Sequence, residues 1–246
     1  MIKIITIITK FIVAAIMALL FASCNHSIHF GKGIKGSGNI TTETRSANED
    51  FKSIEVSYGI KVNVEQADVK SISVEADDNL QKHIITKIEN GVLKIDSDES
   101  YNSTETPMVN VKMPVINVLR ASSGSEIFSI GTLISNNINA KSSSGSNINI
   151  EVEADAITLE SSSGSTIEAR GKALNLETTS SSGSTIDAKD LMANEVIAQT
   201  SSGSNTSVYP ILKLDAKASS GSSIDYHKVP NTIIKKESSG GSIEVN

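Results

Sequence analysis

The chain has 246 residues, with 28 acidic and 22 basic side chains and a formal net charge of −6, a length that allows one large all-β domain or two smaller ones. The acidic balance and an aromatic content of 4% without tryptophan argue against nucleic acid as a partner, because phosphate contacts need a basic face and bases need stacking platforms. One cysteine excludes an intramolecular disulfide framework and a cysteine-based zinc site, and serine is the outlier, at 39 of 246 residues and 28 of the 126 from Ala121 onward.

The chain opens with a targeting pattern. Lys3 and Lys10 form a positive n-region, and Phe11 to Ala22 is an unbroken apolar run of twelve residues. A bilayer span needs about 20, so residues 1–23 are expected to be a signal peptide. The only cysteine, Cys24, follows at once in Leu20-Phe21-Ala22-Ser23-Cys24. Small residues before a cysteine at that place resemble the lipobox of bacterial lipoproteins. That resemblance implies cleavage before Cys24 and acylation of Cys24, palmitate included, with the membrane as a partner through the lipid. Phe21 stands where the commoner residue is Leu. Loss of residues 1–23 removes two lysines and no acid, which takes the net charge from −6 to −8.

Residues 24–50 are expected to be the lipidated N-terminus and a flexible tether, since Asn25 to Asp50 is rich in Gly, Ser, Thr and Asn. Gly31-Lys32-Gly33-Ile34-Lys35-Gly36 matches G-x-G-x-x-G literally, but a dinucleotide site needs a strand before it and a helix after it. A signal-proximal polar stretch precedes this match and Ser37-Gly38-Asn39 follows it.

From residue 51 the pattern is that of strands. Ile54 and Val56, then Ile60, Val62 and Val64, then Ile72 and Val74 alternate with period 2, as half-buried strands do. Asp78–His83 fits one helical turn. Asn90-Gly91 between Ile84–Ile88 and Val92–Ile95 is a hairpin signal. Tyr101–Pro107 is polar and turn-rich, a loop. Residues 51–115 are thus expected to be irregular N-terminal strands.

Residues 116–246 are a repeat. Ser-Ser-Gly recurs with its glycine at Gly124, Gly145, Gly164, Gly183, Gly203, Gly221 and Gly240, at spacings of 21, 19, 19, 20, 18 and 19. A period near 20 indicates a solenoid. Three residues after each glycine stand Ile127, Ile148, Ile167, Ile186, Thr206, Ile224 and Ile243. Seven before stand Asn117, Ile138, Ile157, Leu176, Val196, Leu214 and Ile233. Four before and two after, every residue is polar. Apolar columns at odd offsets and polar columns at even ones are strand parity. The fold expected is an all-β parallel β-helix-like solenoid with coils of about 20 residues. The serines on both sides of the glycine are expected to form inward hydroxyl ladders, and the seven glycines to occupy corners that need φ > 0.

The repeats, such as Glu160-Ser-Ser-Ser-Gly164-Ser-Thr-Ile167, together with Val109–Ile116 and Gly59-Ile60-Lys61-Val62, resemble the head GIN domain family of auto-transporter adhesins of Bacteroidetes-type bacteria, over about Phe51 to Asn246. The resemblance implies a right-handed β-helix-like fold and a cell-envelope location, and brings no catalytic residues. The family's Ser-Gly-Ser-Gly-Asp is here Ser-Ser-Gly-Ser followed mostly by uncharged residues, so an exposed acidic ladder is largely missing.

Catalytic chemistry finds little support. The histidines are His26, His29, His83 and His227, there is no G-x-S-x-G, and each serine cluster has a structural use. The sharpest rival is a Ca²⁺-dependent polysaccharide lyase or hydrolase of β-helix type, for which Glu168 and Asp187, both four residues after a glycine, would be neighbours on adjacent coils. Only Arg45, Arg120 and Arg170 could assist them. The expectation is an envelope lipoprotein on the periplasmic face of the outer membrane that binds a glycan or protein and scaffolds without catalysing, with no cofactor and no metal. A periplasmic sensor or assembly module is a third reading.

Overall fold

The computed structural model describes residues 33–246. Cys24, His26 and His29 lie outside the described residues. The repeat region is a parallel β-solenoid. Glu126–Ser142, Asn147–Ser161, Thr166–Ser180, Thr185–Thr200 and Asn205–Ser219 each wind once around the stack. Each pairs in parallel with the next. Ser223–Tyr226, Thr232–Ser238 and Ser242–Val245 continue it at the C-terminal end.

Parity dictates the core. Ile127, Ile148, Ile167, Ile186, Thr206, Ile224 and Ile243 stand in register on successive coils, and all are buried. Burying one such isoleucine stabilises by roughly 1.5–3 kcal/mol. The polar exception, Thr206, also points inward and accepts a hydrogen bond from Thr200 at 2.9 Å.

The corners differ from expectation in one respect. Each repeat glycine has positive φ, between 68° and 77°, and so does the serine before it, at 50° to 56°. Two successive left-handed residues with an N–H···O bond across them, such as Ser125 N to Ser122 O at 3.1 Å, form a turn of the I′ kind. That turn reverses the pleat, so the preceding serines (Ser123, Ser144, Ser163 and Ser182 among them) are exposed rather than inward. The inward hydroxyls belong to the serine after the glycine and to the residue three before it. Ser165 Oγ lies 2.7 Å from the Ser162 carbonyl, 2.8 Å from the Ser142 carbonyl of the previous coil and 2.9 Å from Ser161 Oγ. A left-handed serine costs about 1–2 kcal/mol. In return its carbonyl accepts the glycine N–H of the neighbouring coil, from Gly124 N to Ser144 O through Gly221 N to Ser239 O, at 3.0–3.1 Å.

The stack begins one corner earlier than the repeat indicates. Tyr58 and Gly59 have φ of 63° and 70°, and Gly59 N donates to Ser123 O at 3.0 Å. Ser53–Val56 and Lys61–Gln66 flank this corner and pair in parallel with Val118–Ala121 and Glu126–Ser142. Between Gln66 and Asn117 the chain leaves the solenoid and builds its N-terminal end. Met108–Met113 lies parallel on Lys61–Gln66, and Ser71–Asp77 then Ile40–Arg45 add antiparallel. Ile84–Glu89 and Val92–Ser97 form the expected hairpin, turning at Asn90 and Gly91 with positive φ. Gln81–His83 is a single 3₁₀ turn.

The segment read as tether belongs to the fold from Ile34 onward. Ile34–Lys35 pairs with Tyr101–Asn102 inside the stretch read as loop, and Ile40–Arg45 is a strand. Between them sits a clasp. Gly38 N donates to Asp77 Oδ1 at 2.7 Å, Thr104 N to Asp77 Oδ2 at 2.9 Å and Asn79 Nδ2 to Lys35 O at 2.9 Å. Gly36 packs so closely that a Cβ there would lie 2.4 Å from Asp77 Oδ2. This pocket, not a nucleotide, explains the glycine at residue 36. Burial of Asp77 pushes its carboxyl up, but the Thr104 and Gly38 amides more than offset this and hold it below the ordinary 3.8.

Candidate functional site

The outward columns carry the polar chemistry, and most of it is spent between coils. Lys61–Glu126, Lys112–Glu65, Lys141–Glu160, Arg170–Glu151, Lys172–Glu153 and Lys213–Glu195 are ion pairs of 2.8–3.7 Å. Each joins residues in register on adjacent strands. Exposed cross-strand pairs contribute about 0.2–1 kcal/mol each, and they tie neighbouring coils together along the sides of the stack. The signal for them is present in the sequence as opposite charges one period apart, such as Lys141 and Glu160.

Glu168 and Asp187 are in register on neighbouring coils, in a groove of about 240 Å³ with Arg170, Lys189 and Asp190. Each already has a partner. Asn149 Nδ2 donates to Glu168 at 2.7 Å and Lys189 Nζ donates to Asp187 at 2.8 Å. The Lys189 ammonium is pushed above its ordinary pKa by that hydrogen bond and by the Asp187 charge. Beside them Glu151 is held below the ordinary carboxylate range by hydrogen bonds from Thr132 and Arg170. No group of three or more His, Cys, Asp or Glu able to hold a metal occurs among the described residues. An amide thus occupies one oxygen of Glu168 and an ammonium one oxygen of Asp187. His83 Nδ1 contacts Asp98 at 2.8 Å, and His227 Nε2 is buried without a partner; neither approaches the pair as a neighbour in register.

Two larger recesses lie where the coils make their second corner. One is apolar. Ile134, Leu174 and Met192 are exposed along it over a floor of Ala154 and Ala173, enclosing about 620 Å³. The other, of about 630 Å³, is lined by amides and small apolar groups without a charged side chain. It lies at the gap where the chain leaves the first coil after Gln66 and returns at Asn117. Parity could have marked Asn117, the one polar residue in its column, but the gap itself is a product of topology.

The family model described as "Putative auto-transporter adhesin, head GIN domain" matches residues 50–230. A crystal structure of a putative adhesin from Bacteroides fragilis superposes with a TM-score of 0.80 at 17% identity, covering 87% of this chain and 100% of that one. A putative lipid binding protein from Parabacteroides distasonis gives 0.71 at 21%, covering 87% and 99%. A putative adhesin from Parabacteroides merdae gives 0.70 at 20%, covering 87% and 98%. No curated protein sequence matches the chain. These solved structures share the fold of this chain.

Proposed function

The chain belongs to the head GIN domain family, and from that premise we propose that it is a lipid-anchored outer-membrane protein that binds and scaffolds by surface contact and catalyses nothing. The observation that carries this is the register-locked stack. Its outward columns repeat coil after coil, and their ion pairs run from coil to coil instead of converging on one place. Repeated shallow contacts gain affinity by avidity, whereas catalysis needs one concave place where unlike groups meet. Acylated Cys24 is the anchor. Nine residues lie between it and Ile34, where the fold begins, so the head is held within about 35 Å of the lipid. Among the described residues no helix is long and apolar enough to cross a membrane. No acidic run follows Cys24, and we favour the periplasmic face over surface display.

The test uses whole cells carrying wild-type protein or Cys24→Ser, followed by fractionation, labelling with a palmitate analogue and bead adhesion with the purified protein. The reading expects label and membrane retention to be lost in the variant, and wild-type beads to adhere without releasing oligosaccharide. Retained label in Cys24→Ser, or catalytic polysaccharide turnover, overturns it. Lipid binding is a second reading, favoured by the apolar recess at Ile134, Leu174 and Met192 and by the name of the Parabacteroides distasonis structure. Displacement of a fluorescent fatty acid, weakened by Leu174→Glu, would support it.

A further inference from the structure

We propose that the gap between Gln66 and Asn117 is a binding site for a neutral, hydroxyl-rich saccharide. It deepens the contact function above by naming the place and the ligand class.

The gap is built into the topology. Below the coil Glu126–Ser142, the strand Lys61–Gln66 covers only as far as Ile130. Val118–Ala121 resumes cover at Asn139. Residues 131–138 therefore have no strand partner on that side, while on the other side Thr132 onward pairs with Asn147–Ser161. Gln66 holds the recess open in a fixed shape. Its Oε1 accepts the Ile134 N–H at 2.7 Å, and its Nε2 lies 2.9 Å from the Ile134 carbonyl and 3.0 Å from that of Pro114.

The lining specifies the ligand. Asn117, Asn136, Asn137, Asn139 and Thr158 are uncharged groups that both donate and accept, and Val115, Val118 and Ala156 supply apolar surface between them. A sugar has the matching character, with hydroxyls that donate and accept and C–H faces that pack on small apolar side chains. No charge in the lining compensates a carboxylate, sulfate or ammonium, and burying an unpaired charge is costly. Asn139 Oδ1 is buried without a hydrogen-bond partner, an acceptor that a ligand hydroxyl would satisfy. The volume, about 630 Å³, lies within the usual range for small-ligand sites. An extended peptide fits less well. Adding a strand to this edge would need the Ile134 N–H and C=O, and Gln66 already occupies both. Without an aromatic ring in the lining, a single site binds weakly, and many copies on a surface supply the avidity.

The test places the detergent-solubilised full-length protein on an array of neutral gluco-, manno-, galacto- and xylo-oligosaccharides beside sialylated, uronate and sulfated ones, with extended peptides as a further set. Binding to neutral oligosaccharides is expected, reduced at least tenfold in Asn137→Asp/Asn139→Asp. In the charge-matched control Asn231→Asp/Asn246→Asp, both exposed near the C-terminal end of the stack, binding and melting temperature should stay as in wild type. A circular dichroism melt confirms that the double variant is folded. If it is not, Asn139→Leu, which removes the orphan acceptor without adding charge, replaces it with the same expected loss. Binding unchanged in the folded variant, binding only to acidic glycans or peptides, or no array binding at all overturns the site. Wild-type beads that adhere while any of those results holds leave the contact function standing. Beads that adhere to nothing remove that function as well.

Discussion

Two glycines with positive φ separate conformational strain from close approach. Gly164 is a corner glycine at φ +69°, and a Cβ added there would meet nothing within 4 Å. Gly171 has φ +124°, and its Cβ would lie 2.1 Å from the Val152 carbonyl oxygen, 3.0 Å from its carbonyl carbon and 3.2 Å from its nitrogen. Val152 is its partner in register on the previous coil, and Leu191 its partner on the next. Gly164→Ala therefore costs only the left-handed backbone, about 1–2 kcal/mol. Gly171→Ala adds to a comparable strain the displacement of a ladder carbonyl by about an ångström, an overpacking term of about 1–3 kcal/mol, for roughly 2–5 kcal/mol together. In a domain of this size each kcal/mol moves Tm by about 2–4 °C. Thermal melts followed by circular dichroism should show losses of about 2–8 °C for Gly164→Ala and a larger loss, about 4–20 °C, for Gly171→Ala. Equal losses, or a larger one at Gly164, would refute the assignment of Gly171 to a backbone contact between coils.

Parity predicts that Ile167→Asp, which puts an unpaired carboxylate in the core, costs several kcal/mol, whereas Thr166→Asp on the outward column stays within about 0.5 kcal/mol; urea titrations that give the same loss for both would contradict the parity. The clasp predicts a pH dependence. The Asp77 carboxyl is held below its ordinary 3.8 in the fold, so its stabilisation is present above pH 3.8 and is lost as pH falls below that value through the folded pKa. Limited proteolysis should cut near Gly36–Asn39 in strong acid and not at neutral pH, while Asp77→Asn, which sets an amide N–H₂ against a backbone N–H, should be cut at neutral pH too; a pH-independent digest of the wild type would count against the clasp.

Much of this architecture was legible because a solenoid repeats its physics. The isoleucine column and the seven glycines each mark one coil, and strand parity sorts inward from outward wherever the backbone is extended. Parity failed at Ser123, Ser144, Ser163 and Ser182, since two consecutive left-handed residues reverse the pleat. The corner at Tyr58-Gly59 went unread because its sequence is Ser-Tyr-Gly-Ile and the next corner glycine is 65 residues on. Ile40–Arg45 looked like tether because an edge strand needs no apolar face. What orders its N-terminal approach is the Asp77–Asn79 clasp, some 40 residues away. The neutral recess was hidden for a related reason: its residues are polar in the sequence as any surface is, and only the exit of the chain after Gln66 brings them together.

The first and last coils described differ from the repeating ones in what they offer a neighbour. A parallel coil offers its edge to the next, and a fresh coil of the same chain would be a ready partner. At the C-terminal end the columns that hold Ala216 and Ala218 in the fifth coil place Lys235 and Glu237 in the last. Lys235 Nζ turns to the Ile243 carbonyl at 2.9 Å and lies 4.6 Å from the Tyr226 ring centre, and Glu237 Oε1 accepts the Ile243 N–H at 2.7 Å. Two inward positions of the core thus end in charge, and a second molecule stacked there would have to bury both. At the other end the parallel ladder passes into antiparallel strands, and the two outermost are Ile40–Arg45, with Thr41, Thr42, Glu43 and Arg45, and Ile84–Glu89, with Thr86, Lys87 and Glu89. With both ends made poor partners, contact falls to the sides of the stack. There the ion pairs between coils stiffen the surface, and the break in the first coil supplies its recess of uncharged hydrogen-bonding groups.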